Sequence, residues 1–578
     1  MLSEADKEIL KEYFGEDNLR LAFERYKRTL EPDTKDFSGI DIFDANLDRN
    51  IKSLSKRLLN GIGSRFDQFT VTPPLKFYIP KKTKGSQRTY TLLFIEEAIV
   101  YQSIVDKIAA DNFIKLNEVN NSIFSYRLND EVKEGINIFD KEDPKFYFFE
   151  KWQDWYPEFR KAEKKQLNNN KNQYKLETDI SGFYDTVQHN ILLNFLEKEF
   201  NVPKEITEFL GSLLNSFSGT PDSKLYGVGL PQGPSPSHFL AQLMLYNFDL
   251  EIIDKGYASY LRYVDDIVIF SKNENDLYRA KASIERQLKD ISLYMNSKKT
   301  DISFIGSKEN RKKELQKLEE KLFSYLSIDE AIEKEESRIN EILNFDIVDG
   351  ENVFPDYDNI HHLNHENTGA LNKTLKNEKA LFETLIKEDD TKKLVSKKEQ
   401  IINDFLKISY LMSDAEGIDS LEHYIWTDDY LELWILLYEN SLNDSRILKI
   451  LDEYYTKTEK LKTSLLYLYH KYDYLEWVQH KLAIILCAKE FNFNSNELSE
   501  FYRNNIDKIS VYAKLSFYLF FILKLDVDDS LFSTIKRRLK KDDKGLFYFK
   551  DWIIWQLRYL NTSNKKLMEV INLIGYDE

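Results

Sequence analysis

A chain of 578 residues, 42% of them hydrophobic, has enough apolar material for two or three domains. A formal net charge of −16 argues against an extended, non-specific hold on duplex DNA, whose affinity comes from many Lys and Arg contacts to phosphate; any nucleic-acid path must be local. The single cysteine, Cys487, excludes an internal disulfide framework and a cysteine-cluster zinc site. No apolar run approaches the ~20 residues that span a bilayer.

The opening Met1-Leu-Ser-Glu-Ala-Asp-Lys7 reads as a capped amphipathic helix and not as a signal peptide, so a cytoplasmic location is expected. Ile79-Pro-Lys-Lys-Thr-Lys-Gly-Ser-Gln-Arg88 is a basic turn, which taken alone is a solvated charge cluster. Leu176-Glu-Thr-Asp-Ile-Ser-Gly-Phe-Tyr-Asp185 begins as a strand and ends in a turn before a helical stretch from His189, which places Asp179 at a strand end. The glycine and proline loop Gly227-Val-Gly-Leu-Pro-Gln-Gly-Pro-Ser-Pro-Ser-His238 runs into an apolar helix and lets backbone approach a ligand closely. In Tyr260-Leu-Arg-Tyr-Val-Asp-Asp-Ile-Val-Ile-Phe270, two adjacent carboxylates sit between β-branched and aromatic stretches, a strand, turn and strand. Oxygen-only ligands suit hard divalent ions, so the pair Asp265 and Asp266 is a metal-site candidate, although a solvated Asp-Asp turn would explain it in isolation.

Together these segments resemble the palm of a reverse transcriptase over roughly residues 15 to 310. Asp179 sits where that family carries its first metal-binding aspartate, Leu230-Pro-Gln-Gly233 looks like its nucleotide-contacting loop, and Tyr263-Val-Asp-Asp266 matches its paired-aspartate hairpin. Ile79–Arg88 resembles the basic fingers segment, and Met295-Asn-Ser-Lys-Lys-Thr300 with Phe304-Ile-Gly306 resembles the motifs that close the palm. The resemblance implies magnesium or manganese as two ions held by Asp179, Asp265, Asp266 and the backbone of Ile180. It implies deoxynucleotide triphosphates contacted by Lys81, Lys84, Arg88, Gln232, Gly233 and Lys299. Tyr184 falls at the family's sugar-gate position, where an aromatic ring leaves no room for a 2′ hydroxyl. Viral RNA-dependent RNA polymerases also carry a second aspartate near Asp185, but they usually have Gly before the paired aspartates and a Ser-Gly loop, where this chain has Val264 and Pro231-Gln232-Gly233.

Gly233-Pro-Ser-Pro-Ser-His238 and Leu245-Tyr-Asn-Phe-Asp249 are closer to abortive-infection and other defence-associated bacterial reverse transcriptases than to viral ones. Beyond residue 310 the chain turns all-helical, with apolar residues at helical spacing through Lys313–Leu343, Asn372–Met412, Leu431–Tyr454, Leu461–Phe493, Leu498–Leu525 and Ser530–Leu560. Breaks at Asn443-Asp-Ser445, Asn492–Ser495 and Asp526–Asp529 suggest a helical-repeat array without a fixed signature. Tyr467, Tyr469, Tyr472 and Tyr474 are expected to pack, not to stack on bases. Asp356, Asp358, His361, His362 and His365 crowd into a polar loop, Asp349–Thr368, with no further metal ligand evident.

The expected fold is an α/β palm-and-fingers, right-hand reverse transcriptase-like polymerase over 1–310, followed by an all-α, helical-repeat-like domain over 311–578. The expected activity is addition of deoxynucleotides to a 3′ or protein hydroxyl in antiphage defence, without a template or on a non-coding RNA, yielding single-stranded DNA. A conventional RNA-templated enzyme and an inactive scaffold are the alternatives. A homo-oligomer is expected, lining Lys536, Arg537, Arg538, Lys540 and Lys541 of several subunits round a channel.

Overall fold

The structure, a computed structural model, describes residues 4–29, then 40–323 apart from 45, 64, 66, 82–85, 120, 221–222 and 256–258, then 397–402, 405, 428–442, 444–453, 458–486 and 533. Lys84, the Asp349–Thr368 loop, Cys487 and the basic run Lys536–Lys541 lie outside the described residues. The chain forms two compact units, one of Met1–Tyr78, Thr89–Leu318 and Ile522–Glu578, the other of Ile79–Arg88 and Glu319–Phe521.

In chain order, α1 (Glu4–Phe14), α2 (Glu16–Thr29) and α3 (Leu47–Leu58) precede a two-stranded sheet, β1 (Leu75–Pro80) and β2 (Gln87–Leu92), whose tip Ile79–Arg88 is counted with the second unit. They are followed by α4 (Ile95–Asp111), α5 (Trp152–Asn168), β3 (Tyr174–Thr178), α6 (His189–Phe200), α7 (Lys204–Phe217), α8 (Ser235–Met244) and α9 (Tyr246–Asp254). The palm hairpin β4 (Leu261–Tyr263) and β5 (Asp266–Ser271), α10 (Glu274–Asp290), β6 (Asp301–Phe304) and α11 (Lys308–Phe323) come next.

Four strands form one sheet in the order β4-β5-β3-β6, antiparallel throughout. Its centre is β3, where Tyr174 faces both Ser271 and Phe304. The hydrophobic residues Ile267, Val268, Ile269 and Phe270 of β5 are all buried, as expected of a strand paired on both edges. Helix α10 packs on β3 and β5, and α5 packs on β4. The edge of β4 is not left open. The segment Ser122–Ser125 runs along it, with Arg262 N donating to Ser122 O at 2.9 Å and Phe124 N to Arg262 O at 3.0 Å.

Helix α4 is apolar on nearly every face and is enclosed by α1, α2, α7 and α8. Its buried polar groups therefore need partners. Asp106 accepts from Arg25 at 2.8 Å and from Gln102 at 2.7 Å, and Tyr101 and Ser237 share a hydrogen bond of 3.1 Å. Under the sheet, Lys175 is buried among Glu163 at 2.9 Å, Glu177 at 3.0 Å and Glu314 at 3.0 Å. Burial alone would favour its neutral amine, but these carboxylates outweigh it and raise its pKa.

Beyond Leu318, the described part of the second unit is helical. It contains α12 (Asp428–Asn440), α13 (Ser445–Glu453), α14 (Glu459–Lys471) and α15 (Glu476–Leu486), with α12 packed on α13 and α14, and α14 on α15. The expected break at Asn443–Ser445 falls between α12 and α13, and the stretch from Leu461 is split by a turn at Tyr472–Leu475. Asp444, just before α13, accepts from Lys398 and Arg446, each at 2.8 Å. Burial would push its carboxyl up, yet the two cations hold it at about 2. Tyr469 and Tyr472 are buried as expected. Tyr467 and Tyr474 are instead exposed, because their positions fall on the outer side of a helix and on a turn.

Glu97 generates a test of the core. It is 2% exposed and accepts from Thr72 N at 2.7 Å, and burial pushes its carboxyl up from 4.5 to about 7 against the opposing pull of that amide. A folded pKa above the unfolded one means a contribution fully present below about 4.5 and lost as pH rises through about 7. Urea titrations of the wild type should therefore lose up to about 3 kcal/mol across that window relative to Glu97→Gln; parallel stability curves for the two proteins would contradict this placement of Glu97.

Candidate active site

Strand register assembles the acidic centre. Thr178 of β3 pairs with Ile267 of β5, so continuing the register by one residue sets Asp179 opposite Asp266. Asp266 in turn pairs with Tyr263 across the hairpin, with Asp265 in the turn. Two segments distant in sequence thus deliver three carboxylates to one end of the sheet.

Asp179 is 5% exposed. Its Oδ2 accepts from Lys299 Nζ at 2.5 Å, while Oδ1 is buried without a hydrogen-bond partner. Asp265 is half-buried, and burial, then Asp266 and Asp179, push its carboxyl up to about 6 against the pull of Lys299. Asp266 is exposed and lies 4.0 Å from Nη2 of the buried Arg160. That guanidinium also pairs with Glu163 at 2.6 Å and lies over the rings of Tyr156 and Phe159. Among the described residues no three His, Cys, Asp or Glu side chains converge as a finished metal cage. Cationic side chains balance two of the three carboxylates: Asp179 pairs with Lys299 and Asp266 faces Arg160.

The residues nonetheless fit divalent ions. An all-oxygen donor set, a buried carboxylate oxygen with no hydrogen-bond partner, and a neighbouring carboxyl whose pKa is raised are features that a hard divalent cation would satisfy. The bridge between Ile180 and Met295 uses Ser181 N to Tyr294 O at 2.8 Å and Asn296 N to Asp179 O at 2.9 Å. Ile180 is thus at a non-hydrogen-bonded position, which leaves its carbonyl out of the ladder.

The hairpin turn is strained and clamped. Val264 has φ of 56°, a left-handed conformation that a β-branched residue adopts only at a cost of about 1–2 kcal/mol. Its N donates to Ser125 Oγ at 2.8 Å and its carbonyl accepts from Arg262 Nη1 at 2.7 Å. Arg262 is fully buried and forks onto Asp249 of α9, Nε to Oδ1 at 2.8 Å and Nη2 to Oδ2 at 2.5 Å, while Tyr260 donates to the same carboxylate at 2.6 Å.

The glycine loop docks beside this centre. Gly229 N donates to Val187 O and Leu230 N to Tyr184 O, at 2.8 and 2.7 Å, which fastens the loop to the turn after β3. Thr91 N of β2 donates to Gln232 O at 2.7 Å. Gly233 has φ of 123°, and a Cβ there would meet Thr91 O at 2.9 Å, so glycine is required for the close approach. Gln232 Nε2 donates to the exposed Asp185 at 3.1 Å. Tyr184 is half-buried with its hydroxyl 2.7 Å from His238 Nδ1, and burial followed by Tyr126 raises its pKa. Lys81, just after β1, and Arg88, the second residue of β2, are exposed, and Lys81 N donates to Ser86 O at 2.7 Å; they belong to the other compact unit.

Residues 79–329 match the family model described as reverse transcriptase (RNA-dependent DNA polymerase). This segment is a reverse transcriptase domain. A curated relative, the Retron Ec48 reverse transcriptase of Escherichia coli, is 28% identical over 136 residues, 23% of this chain and 31% of that one, so the chain spans under a third of its length. Among solved structures, telomerase from Candida tropicalis with a TWJ fragment of telomeric RNA aligns over 71% of this chain and 65% of that one, at 14% identity and a TM-score of 0.27. The apo Candida tropicalis telomerase aligns over 88% and 70%, at 11% identity and a TM-score of 0.29.

The motif residues Asp179, Asp265, Asp266 and Lys299 of this reverse transcriptase domain come together. Sequence reasoning missed Ser125, Tyr126, Arg160 and the partnership of Asp249 with Arg262. A readable signal existed for Arg160, since Tyr156, Phe159, Glu163 and Leu167 mark the buried stripe of α5. No local signal marks Ser125 or Tyr126.

Arg262→Met should leave the buried Asp249 without its cation and loosen the Val264 turn, costing about 3–5 kcal/mol by chemical denaturation. Adding Asp249→Leu should recover a large part of that loss. A single variant within about 1 kcal/mol of wild type would show that the pair does not hold the hairpin.

Proposed function

We propose that the protein is a divalent-metal-dependent DNA polymerase that copies RNA by adding deoxynucleotides to a 3′ hydroxyl. The observation that carries this reading is the meeting of Asp179, Asp265 and Asp266 at one end of the sheet inside a reverse transcriptase domain, with Asp179 Oδ1 unpartnered and Asp265 pushed toward protonation. Asp179, Asp265, Asp266 and the Ile180 carbonyl would hold two Mg2+ or Mn2+ ions. When bound, such ions stabilise the attacking 3′ oxygen and the leaving pyrophosphate.

The chain's own residues supply the rest. Lys299 neutralises Asp179 and stands ready to meet phosphate charge near the leaving group. Lys81, Lys84 and Arg88 offer cations for the triphosphate, with Arg88 able to bind two oxygens at once. Gln232 and Gly233 present loop backbone to the nucleotide, and the Tyr184 ring excludes the 2′ hydroxyl. RNA copying is favoured over template-free extension by the family description of residues 79–329 and by the likeness to the Escherichia coli retron enzyme. A defence role, a single-stranded DNA product, a non-coding RNA partner, a repeat-like helical domain after residue 310 and self-association belong to the same reading. They are supported by the sequence resemblance through Gly233–His238 and Leu245–Asp249 and by the helices among the described residues beyond residue 310.

Asp265→Asn with Asp266→Asn should reduce deoxynucleotide incorporation on a primed RNA by at least about 10³-fold while the protein stays folded, because the two charges that hold metal are gone. Undiminished incorporation by the folded double variant would refute the polymerase reading. Equal wild-type extension with and without the RNA would replace RNA copying by template-free synthesis, and no extension under either condition would favour a scaffold.

A further inference from the structure

Resting on the reading of Tyr184 as the sugar gate, we propose that His238 and Tyr126 are the positioning residues that fix the gate and so set discrimination against the 2′ hydroxyl. The three side chains come from separate parts of the chain. Tyr184 lies in the short helix Phe183–Thr186 after β3, His238 in the first turn of α8 behind the glycine loop, and Tyr126 in the segment that covers the edge of β4.

Their geometry forms one interlocked unit. The Tyr184 hydroxyl lies 2.7 Å from His238 Nδ1 and donates to the Tyr126 hydroxyl at 3.4 Å. The His238 ring stands edge-on to Tyr184 at 5.6 Å and 88°, and it stacks flat on Tyr126 at 4.4 Å and 7°. Tyr126 in turn packs on Phe149 at 5.4 Å. A tyrosine ring turns about two side-chain torsions, and its far end is fixed only by what its hydroxyl meets. Here that end is tied to a histidine which is itself clamped against a second ring.

The backbone gives an independent sign of the same purpose. Tyr126 has φ of 49°, and a non-glycine residue in the left-handed region persists only where its surroundings over-determine it. Its neighbour Ser125 holds the Val264 turn, so one short segment fastens both the paired-aspartate hairpin and the gate. A gate that discriminates by a single hydroxyl group must be held to a fraction of an ångström, since a ring free to tilt admits the larger sugar. A loose packing residue would need neither the hydrogen bond nor the strained backbone.

The test uses the full chain on poly(rC) primed with oligo(dG), comparing kcat/KM for dGTP and GTP. His238→Leu removes the hydrogen bond and the stack; it should lower the dGTP-to-GTP ratio about tenfold, mainly through a smaller KM for GTP. His238→Asn, which can place an amide group near the Nδ1 position, should recover most of the ratio. Tyr126→Leu should lower it in the same direction. A purely structural role would instead depress kcat for both nucleotides equally and leave the ratio where it was, which overturns the proposal. Tyr184→Ala separates the two levels: a ratio unchanged in that variant overturns the gate reading itself, whereas a ratio that collapses there but holds in folded His238→Leu overturns only the role of His238. Should His238→Leu fail to fold, the comparison of His238→Asn with Tyr126→Leu decides in its place, equal wild-type ratios in both again overturning the proposal.

Discussion

Three carboxylates set at the same end of two adjacent strands repel one another, and the local structure can be understood as the set of devices that tolerate this repulsion. Asp179 is the most enclosed and is neutralised by Lys299, Asp265 is driven toward protonation, and Asp266 faces solvent and Arg160. Such crowding would be costly if its purpose were stability, because isoelectronic amides or apolar residues would fold with less strain. It is explicable if a cation of higher charge density than lysine completes the site.

The repulsion also explains how firmly the surroundings are held. The turn that carries Asp265 places Val264 in a left-handed conformation, and it stays there because Ser125, Arg262 and Asp249 form a buried chain of hydrogen bonds beneath it. On the other side, Lys175, Glu163 and Arg160 link the floor of the sheet to the helix that faces Asp266. These are satisfied charge networks, and in a low-dielectric interior they favour one geometry over its near alternatives. The glycine loop adds a backbone surface that packs on β2, where Gly233 permits an approach that any side chain would block.

Much of the centre was legible because it is local. The strand, turn and strand of Tyr260–Phe270 and the strand end at Asp179 follow from residue periodicity within about ten residues, and it was the resemblance to a reverse transcriptase palm that implied they meet. What escaped reading lies across long separations. Ser125 meets Val264 from 139 positions away and Tyr126 meets Tyr184 from 58, and neither segment has a pattern that announces the contact. Arg262 was in plain view within the hairpin, but a charged residue on a short strand reads as solvent-facing until Asp249 is seen to bury it. Among the described residues of the helical part, periodicity gave α12 to α15 but not which tyrosines face inward, since Tyr467 and Tyr469 differ by two positions and fall on opposite sides of α14.

Divalent cation bound among Asp179, Asp265 and Asp266 should relieve their repulsion and so stabilise the folded chain. The most direct measurement is the thermal unfolding midpoint of the full chain as Mg2+ or Mn2+ is titrated without nucleotide, in wild type and in Asp179→Asn. Binding to the folded state raises the midpoint by mass action, so the wild type should gain several degrees and Asp179→Asn, already relieved of one charge, should gain little. A midpoint that is independent of the metal in wild type, or that rises equally in both proteins, would show that these carboxylates hold no cation.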